Sequence, residues 1–161
     1  MNIRVALKTD ESAIWRILEP TIRAGETYAL DRAMTEPDAL RYWFAPAHEV
    51  FVAEEGGEII GTYFLQPNQS GAGGHVANCG YMTATGHTGK GIARAMCEHS
   101  LQHAKNRGFR AMQFNLVVST NERAVKLWQQ LGFQVVGTLP GAFHHPTRGF
   151  VDAFVMFQSL G

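Results

Sequence analysis

Thr88-Gly89-Lys90-Gly91-Ile92-Ala93 (TGKGIA) is the stretch that organises the rest of the sequence. An apolar segment, His75 to Thr83, comes before it and is predicted to be a strand. Apolar residues at helical spacing come after it: Ile92, Ala93, Met96, Cys97, Leu101 and Ala104. Gly108 is a natural end for that helix, and Ala111 to Val118 then forms an apolar run typical of a strand covered on both faces. The order is therefore strand, glycine loop, helix, strand, with an expected right-handed crossover.

A glycine loop at the start of a helix can hold phosphate. Glycine has no Cβ, so its backbone can approach an anion closely, and the first N–H groups of a helix have no internal partner. The side chain of Lys90 adds a cation. A Walker loop and a dinucleotide fingerprint are both excluded, because Gly91 follows Lys90 and the glycine spacing is wrong. Taken alone, the loop fits a plain strand-to-helix turn equally well.

The rest of the chain alternates between strand and helix patterns. Predicted strands are Ile3–Leu7, Glu49–Ala53, Glu58–Leu65, Phe133–Leu139 and Phe150–Phe157. Predicted helices begin at Asp10 as a cap, at Thr35 with Pro37 in the first turn, and at a capping box of Ser119 and Glu122. The stretch Gln66 to His75 is expected to be a loop. The sequence therefore predicts one mixed α/β domain over residues 1–161.

Composition narrows the class of protein. The 161 residues carry 14 basic and 14 acidic side chains, so no bulk attraction to nucleic acid or anionic lipid is expected. No apolar run approaches the roughly 20 residues that span a bilayer, and we expect a soluble, cytoplasmic protein. Cys79 and Cys97 are interpreted as reduced, packed thiols. The histidines, including His144 and His145 in a predicted solvent-facing loop, lack metal-ligand spacing, so no metal is expected.

A second motif changes the interpretation of the loop. It is formed by Asn121, Ala124, Leu127, Trp128, Gly132 and Phe133. With the glycine loop before it, this order and spacing resemble the Gcn5-related N-acetyltransferase (GNAT) superfamily over essentially the whole chain. The resemblance implies a mostly antiparallel sheet splayed between its fourth and fifth strands, with acetyl-CoA bound in the splay. A homodimer is an expectation from the family alone.

The same resemblance implies cofactor contacts. Backbone groups of Met82 and Thr83 would pair with the pantetheine arm and provide the oxyanion donor. The loop Thr88–Ala93 would hold the pyrophosphate, and Asn121 would also contact the cofactor. Two departures from the family pattern stand out. Thr88 replaces a Gln or Arg, which should weaken cofactor binding modestly, and Trp128 replaces a tyrosine that protonates the leaving thiolate in many relatives.

Three asparagines suggest an acceptor. Asn78, Asn115 and Asn121, with their neighbours, resemble segments of fungal acetyltransferases that modify azetidine-2-carboxylate and related proline analogues. That resemblance implies that Asn78 and the backbone of Asn115 and Leu116 hold the acceptor's carboxylate. Asn121 would position a water at the nucleophilic nitrogen. The alternative is that Asn78 and Asn115 pair with irregular backbone.

The segment Gly25-Glu-Thr-Tyr-Ala-Leu30 resembles the acceptor-side loop of phosphinothricin and methionine-sulfoximine acetyltransferases. Tyr28 and Trp43 are then candidate pocket walls, although Trp43 also suits the core. Glu26 is a second candidate base or an exposed surface carboxylate. Pro140 to Phe143 could close one edge of the pocket.

Both resemblances favour a small amino or imino acid as the amine that receives the acetyl group. The alternatives are acetylation of a protein or peptide and a non-catalytic acetyl-CoA sensor.

Overall fold

The computed structural model describes residues 1–161 as one seven-stranded mixed sheet with four α-helices. The strands are β1 (Asn2–Val5), β2 (Glu49–Glu55), β3 (Glu58–Pro67), β4 (Val76–Thr83), β5 (Ala111–Val118), β6 (Gln134–His145) and β7 (Gly149–Ser159). The helices are α1 (Glu11–Ala24), α2 (Glu36–Trp43), α3 (Ile92–Asn106) and α4 (Glu122–Gln130), with short 3-10 turns at Lys8–Asp10 and Gly71–Gly73. None of these helices combines the length and apolar character needed to span a bilayer.

The sheet opens between β4 and β5. The strand order is β1-β2-β3-β4-β5-β7-β6, and β4 with β5 is the one parallel pair. That pair is short, because only Val76 with Ala111 and Ala77 with Met112 are in register before the strands separate. The predicted mixed sheet with a splay between the fourth and fifth strands is confirmed.

A hydrophobic core covers each face of the sheet. On one face α3 and α4 pack their apolar sides, including Met96 and Trp128, against β3, β4 and β5. On the other face α1 and α2 pack Ile14, Leu18 and Trp43 against β2 and β3. Trp43 is fully buried and its Nε1 donates to Thr62 Oγ1 at 3.0 Å, which settles its role as core packing.

Asp10 is the N-cap residue of α1, as predicted, but without a side-chain capping bond, and the predicted capping box at the start of α4 is wrong. The Asp10 side chain does not cap α1, because its carboxylate accepts from the backbone N–H of Leu7 at 2.7 Å and from Arg4 at 2.8 Å. The capping box of Ser119 and Glu122 does not form, because α4 begins at Glu122 and Asn121 caps it instead. A side chain near a helix start bonds whichever free N–H its backbone position lets it reach.

The last hairpin is longer than predicted. β6 continues through Pro140 to His145 because its irregular register with β7 absorbs the residues between Leu139 and Phe143. The predicted loop at His144 and His145 is therefore wrong, and His145 is buried. None of residues 140–143 lines the cleft described below, so they do not close its edge. The exposed residues Val135, Val136 and Leu139 lie along this edge strand.

Candidate active site

The splay between β4 and β5 opens into a cleft of about 790 Å³. Its wall includes most of the sequence-predicted cofactor and acceptor residues, whereas Lys90, Glu26 and Trp43 lie outside it. The predicted residues in the wall are Tyr28, Asn78, Met82, Thr83, Thr88, Gly89, Gly91, Ile92, Ala93, Asn115, Leu116 and Asn121. The separation of two parallel strands thus brings residues that are far apart in sequence to one cleft.

The glycine loop leaves the start of α3 open to the cleft. Gly91 is the N-cap residue with φ of 81°, and no side chain caps the helix. The first helical hydrogen bond joins the Ala95 N–H to the Gly91 carbonyl, so the amides just before Ala95 have no helical partner. Free N–H groups and the positive end of the helix dipole both favour an anion here.

Cations that the sequence reasoning missed surround this helix start. Arg94, Arg123 and Lys126 line the cleft, and no aspartate or glutamate does. Arg123 lies so close to the loop that a Cβ on Gly89 would meet its Nη2 at 2.5 Å. A cation in the first turn of a helix opposes the helix dipole, so Arg94 and Arg123 carried a sequence signal for a bound anion.

Successive residues of β4 direct their backbone N–H and C=O groups to opposite edges of the strand. Asn68 N–H bonds the Val76 carbonyl and Ala84 N–H bonds the Ile60 carbonyl, so the even-numbered residues of β4 pair with β3. The backbone of Met82 therefore faces β3, whereas that of Thr83 faces the splay. Tyr81 shares that orientation, and its carbonyl accepts the Tyr28 hydroxyl at 2.9 Å. Thr83 and Tyr81 thus present backbone groups to the cleft where Met82 does not.

Asn78 sits at the vertex of the splay. It is 9% exposed, and its Nδ2 donates to the Gln113 carbonyl across the gap at 2.9 Å. Its Oδ1 accepts from Gln66 Nε2 at 3.2 Å. The amide therefore bridges β4 to β5 where their main-chain pairing ends.

Asn115 and Leu116 lie at an irregularity of β5. The register with β7 shifts between Phe114 and Val117, so neither residue has a partner in it. The Asn115 side chain is exposed and donates to Asn68 Oδ1 at 2.7 Å, contrary to the prediction of a strand covered on both faces. The bulge turns this part of the β5 backbone towards the cleft wall.

Tyr28 forms an aromatic wall opposite β4. Its burial raises the pKa of its hydroxyl, which stays a donor to Tyr81. Gly80 makes this approach possible, because a Cβ there would lie 2.5 Å from Phe64 Cε2 and 3.1 Å from the Tyr28 hydroxyl. Phe64 is itself held by ring contacts to Trp43 and His48.

Asn121 and Trp128 face the cleft from α4. The Asn121 Oδ1 accepts the N–H of Ala124 at 3.4 Å, so one end of its amide caps the helix. Trp128 is 8% exposed and its Nε1 has no protein partner. Since no fully buried side-chain nitrogen or oxygen lacks a partner, the indole N–H keeps some exposure, and Trp128 lines the cleft.

A smaller polar cavity of about 250 Å³ adjoins the cleft. Thr27 and Asn121 line both spaces, so the two meet at these residues. The other lining residues of the smaller cavity are Glu26, Thr120, His145, Thr147 and Arg148. Glu26 is exposed, as one of its two interpretations expected.

No three His, Cys, Asp or Glu side chains converge as a metal site would require. Cys79 and Cys97 are both free and buried, as predicted, and burial raises the pKa of each thiol, that of Cys97 to about 12.

Comparison with known proteins identifies the family. The model of the Acetyltransferase (GNAT) family matches residues 12–133. A GCN5-related N-acetyltransferase from Kribbella flavida is 42% identical, with a TM-score of 0.94 over 98% of this chain and 96% of that one. The yncA acetyltransferase of Salmonella typhimurium, solved with its cofactor acetyl-CoA, is 25% identical, with a TM-score of 0.88 over 100% and 94% of the two chains.

Among curated proteins, the N-acetyltransferase aca1 of Schizosaccharomyces pombe is 29% identical over an alignment of 151 residues that covers 83% of this chain and 72% of aca1. The residues of this chain that match the family model include both the glycine loop at Thr88–Ala93 and the second motif from Asn121 to Phe133. The chain therefore belongs to the GNAT family of acetyltransferases.

Proposed function

We propose that this acetyltransferase moves the acetyl group of acetyl-CoA to the amine of a small amino or imino acid, by direct attack in a ternary complex. The observation that carries the proposal is the junction at Asn121. There a long cleft with a phosphate-type loop meets a small cavity lined only by polar residues. A cleft for the donor and a separate cavity for the acceptor suit direct transfer between two bound molecules.

The cofactor end of the proposal rests on charge and free donors. The amides from Gly89 to Ala93 would bind the pyrophosphate, and Arg123 beside Gly89 would add a cation. Thr88 and Asn121, which the sequence also predicts to contact the cofactor, line the same cleft. The backbone groups of Thr83 and Tyr81 would pair with the pantetheine arm. Met82 would line the cleft without such a pairing, because its backbone groups face β3.

The acetyl-CoA thioester supplies an electrophilic carbonyl carbon. This chain would stabilise the developing oxyanion with a β4 backbone N–H that faces the splay, at Tyr81 or Thr83. The indole N–H of Trp128 would donate a hydrogen bond to the departing thiolate without giving up its proton. A hydrogen bond to the charged sulfur replaces the protonation that a tyrosine would perform.

In the proposed complex the amine acceptor lies beside Tyr28 and the three asparagines. Tyr28 and the backbone of Asn115 and Leu116 would contact the acceptor, and Asn121 would position the water that carries the amine's proton away. Asn78 would take part as a fixed polar group, because its amide already joins the two strands.

Acetylation of a basic protein or peptide is less well supported. Such substrates need an open acidic groove, whereas Glu26 is the only carboxylate among the residues that line the cleft and the polar cavity. A sensor without transfer activity would bind acetyl-CoA and leave the polar cavity without a role. For the possible homodimer, the exposed edge of β6 is the surface a second copy would cover, and analytical ultracentrifugation tests that part.

A panel assay that follows thiol release from acetyl-CoA tests the proposal. We expect turnover with at least one small amino or imino acid and none with lysine-rich peptides. Turnover with peptides alone would contradict the small-molecule acceptor. Tight acetyl-CoA binding by calorimetry with no turnover on any amine would instead establish a sensor.

A further inference from the structure

His145 is a buried residue whose ring leaves one nitrogen without a protein partner. It is 7% exposed, and its Nδ1 accepts a hydrogen bond from the Thr147 N–H at 3.2 Å. Because Nδ1 is the acceptor, the neutral ring carries its proton on Nε2. No fully buried side-chain nitrogen or oxygen lacks a partner, so Nε2 keeps some exposure, and His145 lines the polar cavity.

Two charged side chains line the same cavity without pairing to each other. Arg148 lies in the turn after β6 and Glu26 in the segment after α1, and neither forms an ion pair with any residue. The cavity thus has a cation, an anion, a ring N–H donor from His145 and hydroxyl groups at Thr27 and Thr120. One positive and one negative group in a small polar space complement a zwitterion.

We propose that this cavity is the binding site for the carboxylate of the acceptor. Arg148 and the Nε2–H of His145 bind the carboxylate, and the amino group points towards Glu26 and Asn121, where the cavity meets the cleft. A guanidinium and a neutral imidazole N–H are both donors that suit a carboxylate. The inference rests on the proposed function and specifies which feature of the acceptor is recognised.

The size and lining of the cavity restrict the acceptor further. About 250 Å³ accommodates one amino acid, and no apolar residue lines the space. An acceptor with a free carboxylate beside its amine is therefore favoured over one whose carboxyl group is an amide. The alternative carboxylate site is Asn78 with the backbone of Asn115 and Leu116. The Asn78 amide already bonds Gln66 and the Gln113 carbonyl, and only the polar cavity offers a guanidinium to the carboxylate.

Paired substrates test the inference. The amino or imino acid that turns over best is compared with its carboxamide, at saturating acetyl-CoA, for the wild type, Arg148→Gln and His145→Gln. Lys105→Gln, an exposed change on α3, is the matched control. We expect Arg148→Gln to lower kcat/KM for the acid roughly 10- to 100-fold, the usual effect of losing a hydrogen bond to a charged group. The carboxamide should be unaffected, and His145→Gln should act in the same direction with a smaller effect.

Each outcome decides the matter. An acid-to-amide preference that Arg148→Gln leaves unchanged overturns this inference and leaves the proposed function standing. No transfer to any amine by the wild type overturns both. Because Arg148 is exposed in a turn, its replacement does not threaten folding, and His145→Gln is accepted only with a wild-type melting temperature.

Discussion

Asn121 combines two tasks that substitution can separate. Its Oδ1 caps α4, while its Nδ2 is free at the junction of cleft and cavity. Serine is as good a cap as asparagine but lacks the amide NH₂. We expect Asn121→Ser to keep the melting temperature and to lower kcat by up to about 100-fold, as misplacement of a reacting group does. Asn121→Ala should lose the cap as well, at about 1 kcal/mol of stability.

Thermal unfolding and steady-state kinetics on both variants check this prediction. Asn121→Ser with wild-type kcat would show that Asn121 is a helix cap and nothing more. The same conclusion would follow if kcat fell only in Asn121→Ala, the variant that also loses stability.

Trp128 should lower the pKa of the thiol of bound CoA. A hydrogen bond from the indole N–H favours the thiolate, so this pKa should rise by about one pH unit in Trp128→Phe. The ultraviolet absorbance of the thiolate, titrated on the CoA complex, measures it. Desulfo-CoA is the control and should bind both proteins equally. The same thiol pKa in both complexes would remove Trp128 from the proposed chemistry.

At the residue scale the sequence predicted positions better than contacts. The glycine loop could be identified because backbone geometry restricts residue types locally, whereas Asn121 was identified through the family motif and its capping role was not predicted. The role of Tyr28 at Tyr81, and the cavity at His145, depend on residues brought together from the segment after α1, from β4 and from β6, which local spacing does not encode.

The start of α3 gives the next prediction, at the scale of an element. Gly91 has φ of 81° and open space around it, so alanine there is strained without clashing and should turn the neighbouring amides. We expect Gly91→Ala to weaken acetyl-CoA binding at least about 10-fold. Gly108, at the other end of α3, has φ of 87° and equally open space, and is the matched control.

Calorimetric titration with acetyl-CoA checks this. Gly108→Ala should lose similar stability and keep the wild-type affinity. Equal affinity in the Gly91→Ala and Gly108→Ala variants would mean that the loop amides do not bind the cofactor.

The junction of β1 and α1 predicts how stability depends on pH. The hydrogen bond from Arg4 and that from the Leu7 N–H hold the pKa of Asp10 below its ordinary value. Because the pKa of Asp10 is lower in the folded protein than in the unfolded chain, the ionised carboxylate stabilises the fold at pH values above the ordinary carboxyl pKa. This stabilisation is lost as the pH falls through the folded-state pKa. Asp10→Asn should therefore cost about 1–3 kcal/mol at neutral pH, with a smaller difference in acid.

Denaturant unfolding at several pH values measures that difference. Glu98→Gln, an exposed change on α3, is the control and should follow the wild type throughout. A constant difference between Asp10→Asn and the wild type down to strongly acidic pH would contradict the assignment.

Element types were predictable because apolar periodicity depends on one face being buried, as in the stripe along α3. The residues at which elements begin and end were not predictable in the same way. Ser119 and Asp10 both satisfied a capping pattern, but the backbone set the helix start elsewhere or offered a different N–H. β6 passed through Pro140 because pairing with β7 outweighed a local turn signal.

For the whole molecule, the central feature is a sheet that opens. Two register pairs join β4 to β5, and beyond Asn78 the strands leave room for the donor cleft. The segment after α1 and the turn after β6 then border the polar cavity beside it. The family resemblance anticipated the splay, whereas the second cavity required the long β6 that the sequence did not predict.

The most direct test of the whole account is a crystal structure with CoA and the best amino-acid acceptor. We predict the pyrophosphate at the amides of Gly89 to Ala93, the sulfur beside Trp128 and Asn121, and the carboxylate at Arg148 and His145. A pyrophosphate bound away from the loop would contradict the cofactor assignment. An acceptor seated outside the polar cavity, with its amine away from Asn121, would contradict the proposed transfer geometry.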